Sequence, residues 1–190
     1  KETLSQYSGF GGIKEVLNIG TDKPVSGDME EPIRRLQELI DTYPYFTEAM
    51  KASVLTAFYT PKFLIDVVAK QIHATFKDNE LQMRCGYAIE KDPVSGLILS
   101  LLNDNTVTRT AGFETIDEQG FEHTKFDVIA SNIPFGNFRV FDAELWKKGG
   151  IYEQATKTIH NYFFVKALEL LNEGGLLAFV TSRGVADTPS

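Results

Sequence analysis

The period of the apolar positions changes once along the chain. Residues 1–28 hold Gly9, Gly11, Gly12, Gly20, Gly27 and Pro24 among few periodic apolar positions, which predicts an irregular arm around a short helical stretch at 13–17. From Glu30 the spacing turns helical: Ile33, Leu36, Leu39 and Ile40 share one face, and Pro32 suits a first turn. A second helix is predicted over 46–57. A third runs from Pro61 to about residue 76, with Phe63, Leu64, Val67, Val68 and Ile72 at helical spacing. After Lys77, short continuous apolar runs replace the helical period. Gly86-Tyr87-Ala88-Ile89-Glu90 reads as a buried strand, followed by Asp92 as N-cap and Pro93 at the first position of a helix reaching Leu102. Strands at 106–110 and 126–130, a long connection, a helix near 161–171, a Gly174-Gly175 turn and a strand at 176–181 complete the pattern.

Strand, helix, strand, strand, helix, strand with uninterrupted apolar strands predicts an α/β fold with a mostly parallel, doubly wound sheet covered by helices on both faces. The helices before it form an N-terminal extension. Such sheets bind ligands at the carboxyl ends of their strands, so the residues just after each strand are the ones to search for chemistry.

Composition narrows the class. The 190 residues are 43% hydrophobic and 24% charged, which excludes collagen, a disordered tail and a disulfide scaffold. One core-forming domain with a short appendage is expected at this length. No apolar run approaches the ~18 residues needed to span a bilayer, and the first residues lack a basic-then-apolar signal, so a cytoplasmic protein is expected. The chain opens on Lys1 rather than Met and closes on Asp187-Thr188-Pro189-Ser190, which suggests a piece of a longer polypeptide. Cys85 has no partner for a disulfide, and His73, His123 and His160 lie far apart, so no protein-held metal is expected. The net charge of −7 speaks against a protein that coats nucleic acid, but is compatible with a nucleic-acid enzyme that has a local basic cleft.

After the strand at 126–130 comes Ser131-Asn132-Ile133-Pro134-Phe135-Gly136. This run resembles motif IV of the amino-methyltransferases, in its adenine-N6 form N-P-P-[YF], with Ile133 standing where Pro is usual. The resemblance implies that Asn132 accepts one N6–H of a target adenine, the main-chain carbonyl of Ile133 accepts the other, and Phe135 stacks on the base. Two acceptors favour the amine as it pyramidalises toward an activated methyl group, so no strong base is needed. Pro134 still holds residue 133 extended. The Ile133 departure leaves the rigidity of the loop in question.

Other segments fall in the order that family requires. Ala57-Phe58-Tyr59-Thr60-Pro61 resembles the motif that lies against the methionine end of S-adenosylmethionine, making Tyr59, Thr60 and Pro61 cofactor-binding candidates. The same residues also suit a capped helix start. Tyr87 to Pro93 resembles motif II, whose strand-end acid holds the ribose hydroxyls. Glu90 is that acid by position, with Asp92 next in line, since a carboxylate can accept two hydroxyls at once. Phe113 and Glu114 stand where motif III meets the adenine ring. Residues 163–171 and 176–183 match the closing helix and strand, with their aromatics read as core.

A strand and glycine-rich turn expected between the Thr-Pro helix and the acidic strand cannot be found in residues 77–85. Its glycines would let the backbone approach the methionine carboxylate. The absence implies either a lost motif I and a silent relative, or a break in the chain between about Gln82 and Gly86; the second reading is the one carried forward.

Tyr7-Ser8-Gly9-Phe10-Gly11-Gly12-Ile13 is similar to a segment of large phage and mobile-element proteins that join an adenine methylase to a helicase. No G-x-x-x-x-G-K-[ST] occurs, so a helicase partner would lie outside these residues. Residues 137–159 form a long connection holding Arg139, Trp146, Lys147 and Lys148, candidates for holding DNA phosphates and the gap left by an extruded base.

Together these readings imply a helical arm at 1–54 and a Rossmann-like class I methyltransferase domain at 55–190, truncated at its C-terminus. The expected activity is S-adenosylmethionine-dependent methylation of adenine N6 in DNA, in a restriction-modification or mobile-element setting. The Thr-Pro helix preceding the acidic strand and motif IV is the γ order of such enzymes. The competing readings are methylation of a glutamine amide or an RNA amino group, and a silent DNA-binding or scaffold module of a helicase.

Overall fold

The computed structural model describes residues 2–5, 7, 9–56, 59–76, 86–116 and 124–181. Along the chain run α1 (Glu2–Ser5), α2 (Glu30–Thr42), α3 (Thr47–Thr56), α4 (Lys62–Phe76), β1 (Gly86–Glu90), α5 (Pro93–Leu102), β2 (Thr106–Thr110), β3 (Phe126–Asn132), α6 (Ala143–Lys148), α7 (Gly150–Ala155), α8 (Ile159–Leu170) and β4 (Leu171–Val180). They belong to two compact units, Lys1–Tyr59 with Arg84–Phe113 and Thr60–Met83 with Glu114–Ser190.

In the first unit β1 and β2 pair in parallel, with Gly86 opposite Thr106 and Glu90 opposite Thr110. Helix α5 supplies the crossover that a parallel pair requires. It lies close on the strands because residue 96 is glycine: a Cβ there would stand 2.5 Å from Thr110 Oγ1. The core of this unit is Val16 and Ile19 of the N-terminal arm, Ile33 and Ile40 of α2, and Met50 and Val54 of α3, with Phe10 and Ile13 packed against them. The arm is therefore part of the core, each such aliphatic side chain contributing ~1.5–3 kcal/mol on burial. No α-period showed there because residues Lys14–Asn18 form a 3₁₀ turn, which sets Val16 and Ile19 three apart on one side.

In the second unit β3 and β4 pair in parallel, from Val128 opposite Leu176 to Asn132 opposite Val180. Here the structure departs from the periodicity in three places. Strand β3 runs beyond 126–130, so Asn132 is the last residue of a strand and not the first of a loop. Strand β4 starts at Leu171, because the register steps from Phe126 opposite Leu171 to Val128 opposite Leu176 and leaves 172–175 as a bulge. The Gly174-Gly175 turn lies within that bulge, which Asn172 fastens by donating to Asp127 Oδ1 at 2.9 Å. Third, residues 137–159 contain α6 and α7. Helices of six residues are too short to show a period.

These two short helices are tied to α8 by a buried ion pair. Asp142 caps α6 by accepting from the Leu145 amide at 2.9 Å, and its Oδ2 receives the Tyr162 hydroxyl at 3.1 Å and lies 3.0 Å from Lys166 Nζ. Asp142, Tyr162 and Lys166 are all fully buried. Phe164 of α8 meets Phe179 of β4 edge-on, with ring centroids 5.2 Å apart. Helix α4 forms where its spacing predicts, yet buries none of its residues and leaves Phe63, Ile65 and Val67 exposed.

The fold is thus α/β with parallel strands joined by helices. Its described strands form two two-stranded sheets. The single doubly wound sheet read from the strand order is not formed among the described residues: β1 is hydrogen-bonded to β2 and β3 to β4, and no described strand pairs across the two sheets. The break expected between Gln82 and Gly86 lies outside the described residues.

Candidate functional site

The carboxyl end of β1 holds a polar cluster within the first unit. Glu90 is the last residue of β1, and its Oε1 accepts from the Asp92 amide at 2.8 Å. Asp92 is the N-cap that Pro93 announces: its Oδ1 accepts from the Ser95 amide at 2.6 Å. The Tyr59 hydroxyl is hydrogen-bonded to Ser95 Oγ, and the Tyr7 ring meets the Tyr59 ring edge-on at 6.1 Å. Burial raises the Glu90 carboxyl above its ordinary value, and the Asp92 charge adds to this while the amides of Asp92 and Lys91 oppose it. Burial also raises the phenols of Tyr7 and Tyr59. Tyr59, Asp92 and Glu90 push Tyr7 further up against the hydroxyl of Ser95, so both tyrosines keep their protons at any ordinary pH.

This arrangement suits a ligand that donates. Two backbone amides occupy part of the Glu90 carboxylate, which has about four acceptor positions, so capacity remains for hydroxyl donors. A ribose diol presents two. The donor set therefore fits the nucleoside end of S-adenosylmethionine. Of the residues picked for that cofactor, Tyr59 and Glu90 are brought together here; Thr60 and Pro61 stand at the opening of α4, where the Pro61 carbonyl accepts from the amides of Leu64 and Ile65. Phe113 and Glu114 lie in a 3₁₀ turn after β2, half-buried. Sequence reasoning missed Tyr7 and Ser95. Ser95 carried a signal, the third position after the Asp92 cap; Tyr7 carried none beyond standing next to the glycine-rich string.

The carboxyl end of β3, in the second unit, is built differently. Asn132 pairs with Val180 at the end of the ladder, and its side-chain oxygen is buried. Ile133 is 1% exposed and its amide donates to the Val180 carbonyl at 3.0 Å. Proline at that position could not make this bond. The Ile133 departure therefore adds a tie to β4, which answers the question of rigidity. Pro134 follows, and Phe135 stands exposed, its ring 6.4 Å from that of His160, whose Nε2 is buried with no hydrogen-bond partner among the described residues.

Of the four candidates for DNA contact, Arg139 is exposed, while Lys147 and Lys148 are already engaged. Lys147 pairs with Glu144 at 2.5 Å; Lys148 pairs with Glu169 and lies 5.1 Å over the Tyr152 ring. Trp146 donates to Thr156 Oγ1 at 3.0 Å and packs edge-on against Phe141. The buried Asp142–Lys166 pair fixes this segment beside motif IV in the chain. Among the described residues no group of three or more His, Cys, Asp or Glu could hold a metal, and no helix is long and apolar enough to cross a membrane.

Residues 39–187 match the family model of the Eco57I restriction-modification methylase. No curated protein and no solved structure matches the chain. The matched residues run from α2 to beyond β4 and include both strand ends, Glu90 and Asn132 through Phe135. With well over half of its length inside that match, the chain belongs to the Eco57I restriction-modification methylase family and carries a DNA methyltransferase domain.

Proposed function

We propose that the chain transfers a methyl group from S-adenosylmethionine to the N6 amine of adenine in DNA. The observation that carries this reading is the end of β3: an Asn held in the strand ladder, a main chain pinned by Ile133 to Val180, then proline and an exposed aromatic ring. An exocyclic adenine amine is a weak nucleophile because its lone pair is shared with the ring. Asn132 and the Ile133 carbonyl would accept its two hydrogens and localise that pair, while Phe135 would cover the base. S-adenosylmethionine supplies the activated methyl group; Glu90, with Tyr59 beside it, would hold its ribose, and Thr60, Pro61, Phe113 and Glu114 are further candidates for contact with it.

The fold that goes with this reading is the class I one, a doubly wound, mostly parallel sheet in a catalytic domain at 55–190. Arg139, Trp146, Lys147 and Lys148 would meet the DNA, Lys147 exchanging the exposed carboxylate of Glu144 and Lys148 the half-buried one of Glu169 for phosphates, since ion pairs open to solvent are weak. A helicase region of the same polypeptide is a proposed partner, on the resemblance of the arm alone. The test is to incubate the intact protein with DNA and S-adenosylmethionine labelled in its methyl group, then digest the DNA to nucleosides. Label in N6-methyl-2′-deoxyadenosine supports the reading. Label in a cytosine derivative, in RNA or in protein overturns it.

A further inference from the structure

The string Tyr7 to Ile13 lies outside the family match, which begins at residue 39, and the methylase chemistry leaves it without a role. In the structure it is fixed at three points. Phe10 packs on the first unit's core, and the Gly12 amide donates to the Val54 carbonyl at 2.9 Å. Gly9, at φ +70°, lies so close on the Tyr59 ring that any Cβ would collide with it. These ties deliver Tyr7 edge-on to Tyr59 and Phe10, beside Ser95 and the carboxylates Glu90 and Asp92.

We propose that Tyr7 is a ligand-binding residue of the nucleoside site, its hydroxyl donating a hydrogen bond to a ribose hydroxyl that in turn donates one to Glu90. This rests on the reading of Glu90 as the ribose acceptor. The chemistry is complementary: each ribose hydroxyl can donate once and accept twice, a carboxylate can only accept, and a phenol that keeps its proton can donate. Carboxylates alone would leave the ribose oxygens without donors. The arm then has a stated purpose, to bring a further donor to a site where the Tyr59 and Ser95 hydroxyls already bond each other and the remaining polar side chains are carboxylates, and Gly9 is glycine because the arm must cross Tyr59 at contact distance.

The test uses S-adenosylhomocysteine and its 2′- and 3′-deoxy analogues, with binding to the intact protein followed by calorimetry. Tyr7→Phe keeps the ring and removes the donor. It is expected to weaken S-adenosylhomocysteine binding about three- to tenfold, the scale of one neutral hydrogen bond. The loss should not add to that of one deoxy analogue, because variant and analogue remove the same contact. A purely structural role for Tyr7 would weaken all ligands alike, and full additivity with both analogues overturns the proposal. So does unchanged affinity in Tyr7→Phe while Glu90→Gln loses binding, an outcome that leaves the ribose site standing. If the unaltered protein binds none of these ligands, the cofactor reading itself fails and the proposal with it.

Discussion

At the end of β1 stand two carboxylates and two phenols, drawn together from the arm, from Tyr59 before α4, from the strand and from the N-cap of α5; at the end of β3 stand an amide, a buried isoleucine and an exposed ring, all within four consecutive residues. The first is electrostatically costly. Glu90 is half-buried next to Asp92, and this partial loss of water, with the Asp92 charge beside it, raises its carboxyl above the ordinary value. The second carries no charge and is held by backbone bonds to β4. The difference follows from what each would bind. A ligand that brings hydroxyl donors relieves buried acceptors, so the charge at β1 is a cost recovered on binding. A neutral base brings no such relief and needs fixed geometry instead.

The comparison can be broken from the outside in. The largest effect is expected at the buried pair that fixes α6 and α7: Lys166→Ala strands Asp142 without its cation and should lower stability by ~3–5 kcal/mol, read as a shift in the denaturant midpoint. Replacing both partners by apolar residues of similar size should recover most of it.

Next comes Glu90→Gln, which should weaken cofactor binding by ~1.5–3 kcal/mol in calorimetry without lowering stability at neutral pH. The sign follows from the raised carboxyl. Below the ordinary carboxylate range Glu90 is protonated whether the chain is folded or not. As pH rises through its raised folded value the folded state must carry a partly desolvated charge beside Asp92, and that part of the stability is lost. Unfolding curves of the unaltered protein should therefore lose stability over this window relative to the variant.

Ile133→Pro, which restores the residue usual in the resembling motif, should cost ~1–3 kcal/mol, because it removes the amide of a buried residue from its bond to the Val180 carbonyl. Thermal unfolding measures it directly. The smallest effect belongs to the exposed pairs of α2: Arg34→Ala removes the ion pair of Glu38 but leaves Glu31 paired with Arg35, so the same experiment should show at most a marginal shift in melting temperature.

How much of this was legible in the sequence depended on punctuation. Strand β1, helix α5 and strand β2 lie where the residues place them, because Asp92 and Pro93 mark a helix start and Thr106–Thr110 is a run of β-branched residues with one arginine. The position of Glu90 at a strand end followed. Strand β3 extends further because Ser131 and Asn132, polar and turn-like in isolation, pair with Phe179 and Val180, a tertiary effect. Helices α6 and α7 were hidden by their length, and the Asp142–Lys166 pair by a separation of 24 positions that only the fold closes. Tyr7 was hidden most completely. Its neighbours at β1 and α5 lie more than eighty residues away, and no local pattern announces a contact of that kind.

The central claim is that the end of β3 acts on the target amine while the end of β1 holds the cofactor. Asn132→Ala tests it most directly, with methyl transfer to DNA and S-adenosylmethionine affinity measured on the same preparation of the intact protein. The account predicts a fall of ~10²–10³ in turnover, the usual cost of losing one transition-state hydrogen bond, with cofactor affinity essentially unchanged. Near-normal turnover, or a loss of cofactor binding equal to the loss of activity, would contradict it.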